Sequence, residues 1–267
     1  MSNPNTKFIK DLKNEQIRTT FINKGYIVIK NFFTDNEYST LKKVTQSIQR
    51  APEKKGGIMK YFEKSNISAE LLLNRAENFI QYFDQLSKII FSTKIMDLLR
   101  AAGGQEFHLF KEKINFKLIG GGGFKIHQDA PAFTKFCREE LLILMIPVDK
   151  STYNNGALKV CDNFFEPKIV PHDNGEAKVI NRKINWKTIE LKPKDIVVFS
   201  SFLLHYSEDN NSKTPRRCYY FTFNSVANGN LRDEYFSYKR SHFPPRVERN
   251  VDVDYTNWKT QLAKDII

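Results

Sequence analysis

The stretch FHLFKEKINFKLIGGGGFKIHQD, residues 107–129, decides how this chain is read. Its first half alternates. Lys111, Lys113, Asn115 and Lys117 fall on one face of an extended chain, and Ile114, Phe116 and Leu118 on the other. The apolar face belongs in a core, while the face with the lysines belongs to water or to a site. Gly120 to Gly123 turn the chain. No Lys-Ser/Thr pair follows them and no helical pattern starts there, so they connect strands and do not cradle phosphate. Extended chain resumes at Phe124 and runs into His127-Gln-Asp129. A strand directs residues i and i+2 to the same side, so both side chains can reach one ion.

Working outward, strands are predicted at Glu140–Val148, Ala157–Val160, Asp195–Phe199 and Tyr219–Asn224, with a turn at Tyr153-Asn-Asn-Gly156. Upstream the texture is helical. After a short strand at Gly25–Lys30, Asp35–Gln49 opens with acids and sets Leu41, Val44 and Ile48 at helical spacing. Further helices are predicted over Ala69–Tyr82 and Tyr82–Leu99, and Gly103-Gly104 stops the last. Many short strands with polar turns point to a mainly β protein with helical additions, a sandwich or barrel with helices packed outside. No repeat, low-complexity run or linker divides the 267 residues. We expect one domain over 1–267: a mostly helical part (1–105), a β core (106–230) and a C-terminal extension (231–267).

The net charge of +12 favours anionic partners, although lysines and acids are interleaved and no basic tail stands out. Aromatic-rich basic stripes of the kind that bind nucleic acid are not evident. The three cysteines, Cys137, Cys161 and Cys218, form neither a zinc pattern nor a disulfide framework, which fits a reducing compartment. The polar start lacks the apolar core of a signal peptide, and the longest apolar run, Leu141–Val148, is too short to span a bilayer. A cytoplasmic protein with no membrane partner is expected.

His127 and Asp129 need a third ligand. His205 follows the apolar segments Ile196–Phe199 and Phe202–Leu204, which could bring it in from a facing sheet. A His-x-Asp pair alone is a weak signal in a chain with five histidines. Two imidazoles and a carboxylate on one face of an octahedron leave three positions open, as non-haem Fe(II) oxygenases require. Zinc with a water in a hydrolase is the other metal reading. Arg216, eleven residues beyond His205, separates the two. A buried guanidinium stays charged and can grip the far carboxylate of 2-oxoglutarate with two parallel hydrogen bonds. A zinc hydrolase has no such use for it. Arg217 points to the opposite side of the same strand.

Four segments together resemble the phytanoyl-CoA dioxygenase family of Fe(II)/2-oxoglutarate oxygenases: Lys113-Ile-Asn-Phe-Lys117, Ile126-His-Gln-Asp-Ala130, Asn155-Gly-Ala-Leu158, and His205-Tyr-Ser207 running to Pro215-Arg-Arg217. The resemblance covers residues 113–217 in order and spacing. It implies a double-stranded β-helix (jelly-roll, cupin-like) core with N-terminal helices outside. It also implies Fe(II) as cofactor and 2-oxoglutarate and O2 as cosubstrates, with 2-oxoglutarate converted to succinate and CO2. Ectoine hydroxylase, a family member, has a similar Ile-Asn-aromatic-Lys run. By position Lys117 would contact 2-oxoglutarate, with Asn115 and Ser207 adding hydrogen bonds, and Lys111 would meet substrate. Two departures leave the pocket shape open. Val160-Cys-Asp-Asn-Phe164 stands where the family often has Pro-Gly-Ser-His, and Leu141–Ile146 lacks the Trp of some members.

The expected function is hydroxylation of an aliphatic carbon of a small anionic molecule. His127, Asp129 and His205 would hold iron, and Arg216, Lys117, Asn115 and Ser207 the cosubstrate. Lys111, Phe133, Tyr220 and Asn224 would line the substrate pocket. The same core acting on a nucleic acid, or a non-catalytic metal-binding module, remains the alternative. Neither the substrate nor the oligomeric state is written in the sequence.

Overall fold

The computed structural model describes residues 14–178 and 183–255. Five α-helices stand among them: α1 (Asn14–Lys24), α2 (Asp35–Arg50), α3 (Asp84–Ile90), α4 (Thr93–Gly103) and α5 (Arg232–His242). The first seven strands are β1 (Tyr26–Ile29), β2 (Met59–Lys64), β3 (Leu71–Glu77), β4 (Phe107–Lys117), β5 (Phe124–His127), β6 (Leu142–Pro147) and β7 (Leu158–Cys161). They are followed by β8 (His172–Asp173), β9 (Glu176–Ala177), β10 (Trp186–Ile189), β11 (Ile196–Ser200), β12 (His205–Ser207) and β13 (Arg216–Ser225).

A seven-stranded sheet runs β1-β11-β6-β13-β4-β3-β2, and a four-stranded sheet runs β10-β7-β12-β5. Every pairing within them is antiparallel. Strand alternation explains how the layers stack. In β6, β11 and β13, Leu142, Leu144, Ile146, Ile196, Val198, Tyr219, Phe221 and Phe223 join the core beneath the helices. Their alternates Ile143, Met145, Val197, Phe199, Cys218 and Tyr220 join the core that includes Leu158 and Val160 of the smaller sheet. Both faces of β6 are therefore covered, which is why that strand is aliphatic throughout. The jelly-roll core with helices outside is as expected.

The helix α2 begins at a capping box. The Thr34 hydroxyl accepts the Glu37 N–H at 3.3 Å, and the Glu37 carboxylate accepts the Thr34 N–H at 2.8 Å. The predicted helix over Ala69–Tyr82 is not one. Its first part is β3, paired with β2 and β4, and Ile80–Tyr82 forms a single 3-10 turn. The run Leu71-Leu-Leu73 fits either period, and the free edge of β4 decides it. The stretch read as one helix over Tyr82–Leu99 is two, α3 and α4. The large sheet thus recruits β1, β2 and β3 from the part read as mostly helical. No helix among the described residues is long and apolar enough to cross a membrane.

Candidate active site

The smaller sheet brings the metal-ligand candidates together. β12 pairs with β5 so that His205 lies directly opposite His127. Asp129 sits two residues past the end of β5, in αR geometry at the start of the Ala130–Phe133 turn. Its approach thus comes from the chain turning back after the strand, where simple strand alternation was expected. Asp129 Oδ1 is 3.8 Å from His127 Nε2, and Asp129 Oδ2 is 3.9 Å from His205 Nε2. One ligand atom from each of the three residues falls within 4.8 Å of the others.

Backbone carbonyls fix both imidazoles. His127 Nδ1 is 2.7 Å from the Lys125 oxygen, and His205 Nδ1 is 2.9 Å from the Leu203 oxygen. A carbonyl only accepts, so each Nδ1 carries the proton and each Nε2 offers its lone pair to the centre. Burial lowers the pKa of both rings, and in His127 the facing His205 lowers it further. Both shifts favour the neutral ring that a ligand must present. Burial alone would raise Asp129, but the ammonium groups of Lys113 and Lys111 hold it below the usual carboxylate range. Two neutral imidazoles and one carboxylate form a donor set suited to Fe(II).

Arg216 opens β13 and is buried, 1% exposed. Among the described residues no carboxylate pairs with it. Its recorded partners are Cys218, with Nη1 3.7 Å from Sγ, and Tyr220, and its Nε has no hydrogen bond at all. A buried cation left this way is costly until an anion completes it. Arg217 differs. It lies on the opposite face of β13, half-buried, and holds Asp149 with two parallel bonds, Nε–Oδ2 2.8 Å and Nη2–Oδ1 2.8 Å. Lys117 is paired across the strands with Arg216. It donates to Ser207 Oγ at 2.8 Å and to the Glu208 carbonyl. Gly156 makes room for it: a Cβ there would lie 2.9 Å from the Lys117 Nζ, and its φ of +73° is a left-handed value that glycine tolerates. Asn115, Ser207 and Tyr220 line a small cavity shared with His127, Asp129 and His205, and Asn115 Oδ1 has no partner.

A larger cavity opens on the other side of His127 and Asp129. Lys111 and Phe133 line it as expected, joined by Phe136. Asn224 does not belong to either cavity. Its amide donates to the Ser225 and Gly229 carbonyls at 2.7 and 2.9 Å and ties down the turn after β13. This corrects its assignment as a substrate residue: it lies at the far end of a long strand. Sequence reasoning also missed residues that line the larger cavity: Arg75, Tyr235, Tyr238 and Lys239, with Lys113 unassigned. Arg75 lay in the misread helix, and the last three lie on α5, in the extension beyond the core. No spacing rule connects them. Burial pushes Lys113 down to about 8 despite the nearby Asp129.

The chain matches the family model for phytanoyl-CoA dioxygenase over residues 21–218. It is 37% identical over 245 residues to a 2-aminoethylphosphonate dioxygenase of the uncultured bacterium HF130_AEPn_1, covering 91% of this chain and 94% of the relative. It is 33% identical over 228 residues to a methylphosphonate hydroxylase of Gimesia maris, covering 82% and 84% of the two chains. Among solved structures, EctD from S. alaskensis with 2-oxoglutarate and 5-hydroxyectoine superimposes with a TM-score of 0.68 at 19% identity, over 81% of this chain and 77% of that one. That likeness speaks for the fold.

Proposed function

The chain belongs to the phytanoyl-CoA dioxygenase family, and on that premise we propose that His127, Asp129 and His205 hold Fe(II), that Arg216 grips 2-oxoglutarate, and that the substrate is a small phosphonate. The protein is a 2-oxoglutarate-dependent dioxygenase that hydroxylates a small anionic molecule. The chain reads as one catalytic domain working in the cytoplasm, in keeping with its three buried, widely spaced cysteines.

The observation that carries the residue assignments is the buried Arg216 guanidinium without a carboxylate among the described residues, on the strand beside Lys117 and against Tyr220, which lines the small cavity with the three converging ligands. Bound Fe(II) supplies the oxidation, in which O2 and 2-oxoglutarate become succinate and CO2 and one oxygen atom enters the substrate as hydroxyl. The protein side chains position the reactants. Carbonyl-anchored imidazoles keep the ligand lone pairs aimed. Arg216 receives the far carboxylate of 2-oxoglutarate, Lys117 and Ser207 add polar contacts, and Asn115, which lines the same small cavity, can donate from its amide NH2. Phe133, Phe136, Tyr235 and Tyr238 keep water from the larger cavity.

The phosphonate reading draws on the names of the two relatives together with a cavity lined by Arg75, Lys111, Lys113 and Lys239. The test is succinate release by purified protein with Fe(II), 2-oxoglutarate and either 2-aminoethylphosphonate or methylphosphonate. Stimulation by a phosphonate that vanishes in Asp129→Ala supports the reading. Equal succinate with and without every phosphonate tried refutes the substrate class.

A further inference from the structure

The larger cavity holds more positive charge than its own acids can balance. Lys111, Lys113, Arg75 and Lys239 line it, against Asp129 at its floor and Glu77 beside it. Two positive charges are left over. A divalent iron and the 2-oxoglutarate dianion would cancel one another, so loading the site leaves that excess in place. The two lysines on β4 carry it. Lys111 is only 4% exposed, and neither it nor Lys113 has a hydrogen bond or ion pair among the described residues. Their ammonium groups lie over ring faces, with Glu77 and Asp129 near enough to attract them but not paired with them. Lys111 Nζ lies 5.1 and 5.2 Å from the Phe133 and Tyr235 centroids, and Lys113 Nζ 5.1 Å from that of Tyr220. Buried ammonium groups are costly unless something anionic completes them.

An acid that could complete Lys111 exists, and it is already taken. Glu77 lies close enough to attract Lys111, but it accepts from Lys239 and, at 3.2 Å, from Arg75 Nη1. Lys239 comes from α5, beyond the residues that match the family model. The same helix is docked at its start by Arg232, which grips Glu112 on the other face of β4. Two ion pairs thus fix α5 over the cavity, and one of them occupies the carboxylate next to Lys111.

We propose that Lys111 and Lys113 are the anchoring pair for a dianionic oxyanion head of the substrate, and that Lys239 is a positioning residue that keeps Lys111 available by engaging Glu77. This deepens the phosphonate reading and rests on it. Residues i and i+2 of a strand stand side by side on one face, so both ammonium groups can reach one tetrahedral anion. The pair also lies next to Asp129, so an anchored head brings the rest of a small substrate to the metal.

The test uses protein loaded with Fe(II) and 2-oxoglutarate under anaerobic conditions and titrated with methylphosphonate by calorimetry. Lys111→Met should weaken binding on the order of tenfold or more, the loss of a charge-assisted contact. Lys239→Met should weaken it comparably, because Glu77 then draws Lys111 away. Adding Glu77→Gln to Lys239→Met should restore most of the affinity, which a merely structural role for Lys239 would not predict. 2-Oxoglutarate affinity should be unchanged throughout. If Lys239→Met does not fold, the double variant and Lys111→Met still decide. Unchanged methylphosphonate binding in Lys111→Met overturns the anchoring pair, and a double variant that binds as weakly as Lys111→Met overturns the positioning role. If unsubstituted protein binds neither methylphosphonate nor 2-aminoethylphosphonate, the phosphonate reading falls and the pair falls with it.

Discussion

Replacing Arg216 tests the cosubstrate assignment most directly. Its guanidinium is buried, its Nε makes no hydrogen bond, and no carboxylate pairs with it among the described residues. In Arg216→Lys one ammonium replaces the two-pronged donor, so one charge-assisted hydrogen bond to the dicarboxylate is lost. That is about 1.5–3 kcal/mol, or roughly a ten- to hundredfold rise in the 2-oxoglutarate concentration required. Steady-state succinate formation against 2-oxoglutarate concentration measures it. Thermal unfolding adds a second, opposite sign. Arg216→Met removes a buried cation that nothing pairs, so the ligand-free protein should be as stable as before or more so. It should also lose the stabilisation that saturating 2-oxoglutarate confers, about 2.7 kcal/mol at a hundred times Kd. A structural arginine would behave the other way, as Arg217 should when its Asp149 pair is cut. An unchanged 2-oxoglutarate requirement in Arg216→Lys, with a raised one in Arg217→Lys, would refute the reasoning.

Other outcomes follow from the same geometry. His205→Ala removes one of three converging ligands, so bound Fe(II) should fall sharply in metal analysis while the fold persists by circular dichroism; full retention of iron would exclude His205 as a ligand. Burial would raise the Glu77 carboxyl, yet Lys239, Lys111 and Arg75 together hold it well below the usual range. A depressed folded pKa means this stabilisation is present above the unfolded value, about 4.3, and is lost as pH falls below it, at up to about 1.4 kcal/mol per pH unit. Denaturant titrations between neutral pH and pH 3 should therefore show a shallower acid loss in the Glu77→Gln/Lys239→Met double variant, and an identical slope would mean Glu77 is not ionised in the fold. Leu144 is fully buried under the helices, and Leu144→Ala should cost about 2–5 kcal/mol in chemical denaturation. Thr34→Ala breaks the capping box and should cost about 1 kcal/mol.

Much of the core was legible because strand chemistry is local. The alternation in β4 predicted its lysine face and its apolar face; both occur, and the structure buries most of each. β1, β6, β11 and β13 fell close to their expected places, since each carries an uninterrupted apolar or β-branched run. His127, Asp129, His205 and Arg216 were legible as a spacing, and the register of β5 with β12 brings the two histidines face to face. The reading failed where local pattern is ambiguous. Leu71-Leu-Leu73 fits a helix as well as a strand, and only pairing with β2 and β4 resolves it. That error hid Arg75 and Glu77. Asn224 failed for a different reason. It shares a face with Arg216, but on a strand of ten residues a shared face does not mean a shared cavity.

By itself the sequence determined the reaction class, because metal ligands two residues apart and an arginine at a set distance are properties of a local stretch of chain. Tertiary structure alone decided which cations are paired with a carboxylate and which are not. A lysine's availability depends on whether a carboxylate from elsewhere reaches it first, and Lys239 meets Glu77 across 162 residues of sequence. That long-range pair is what leaves Lys111, in the alternating stretch at 107–118, without a paired carboxylate among the described residues.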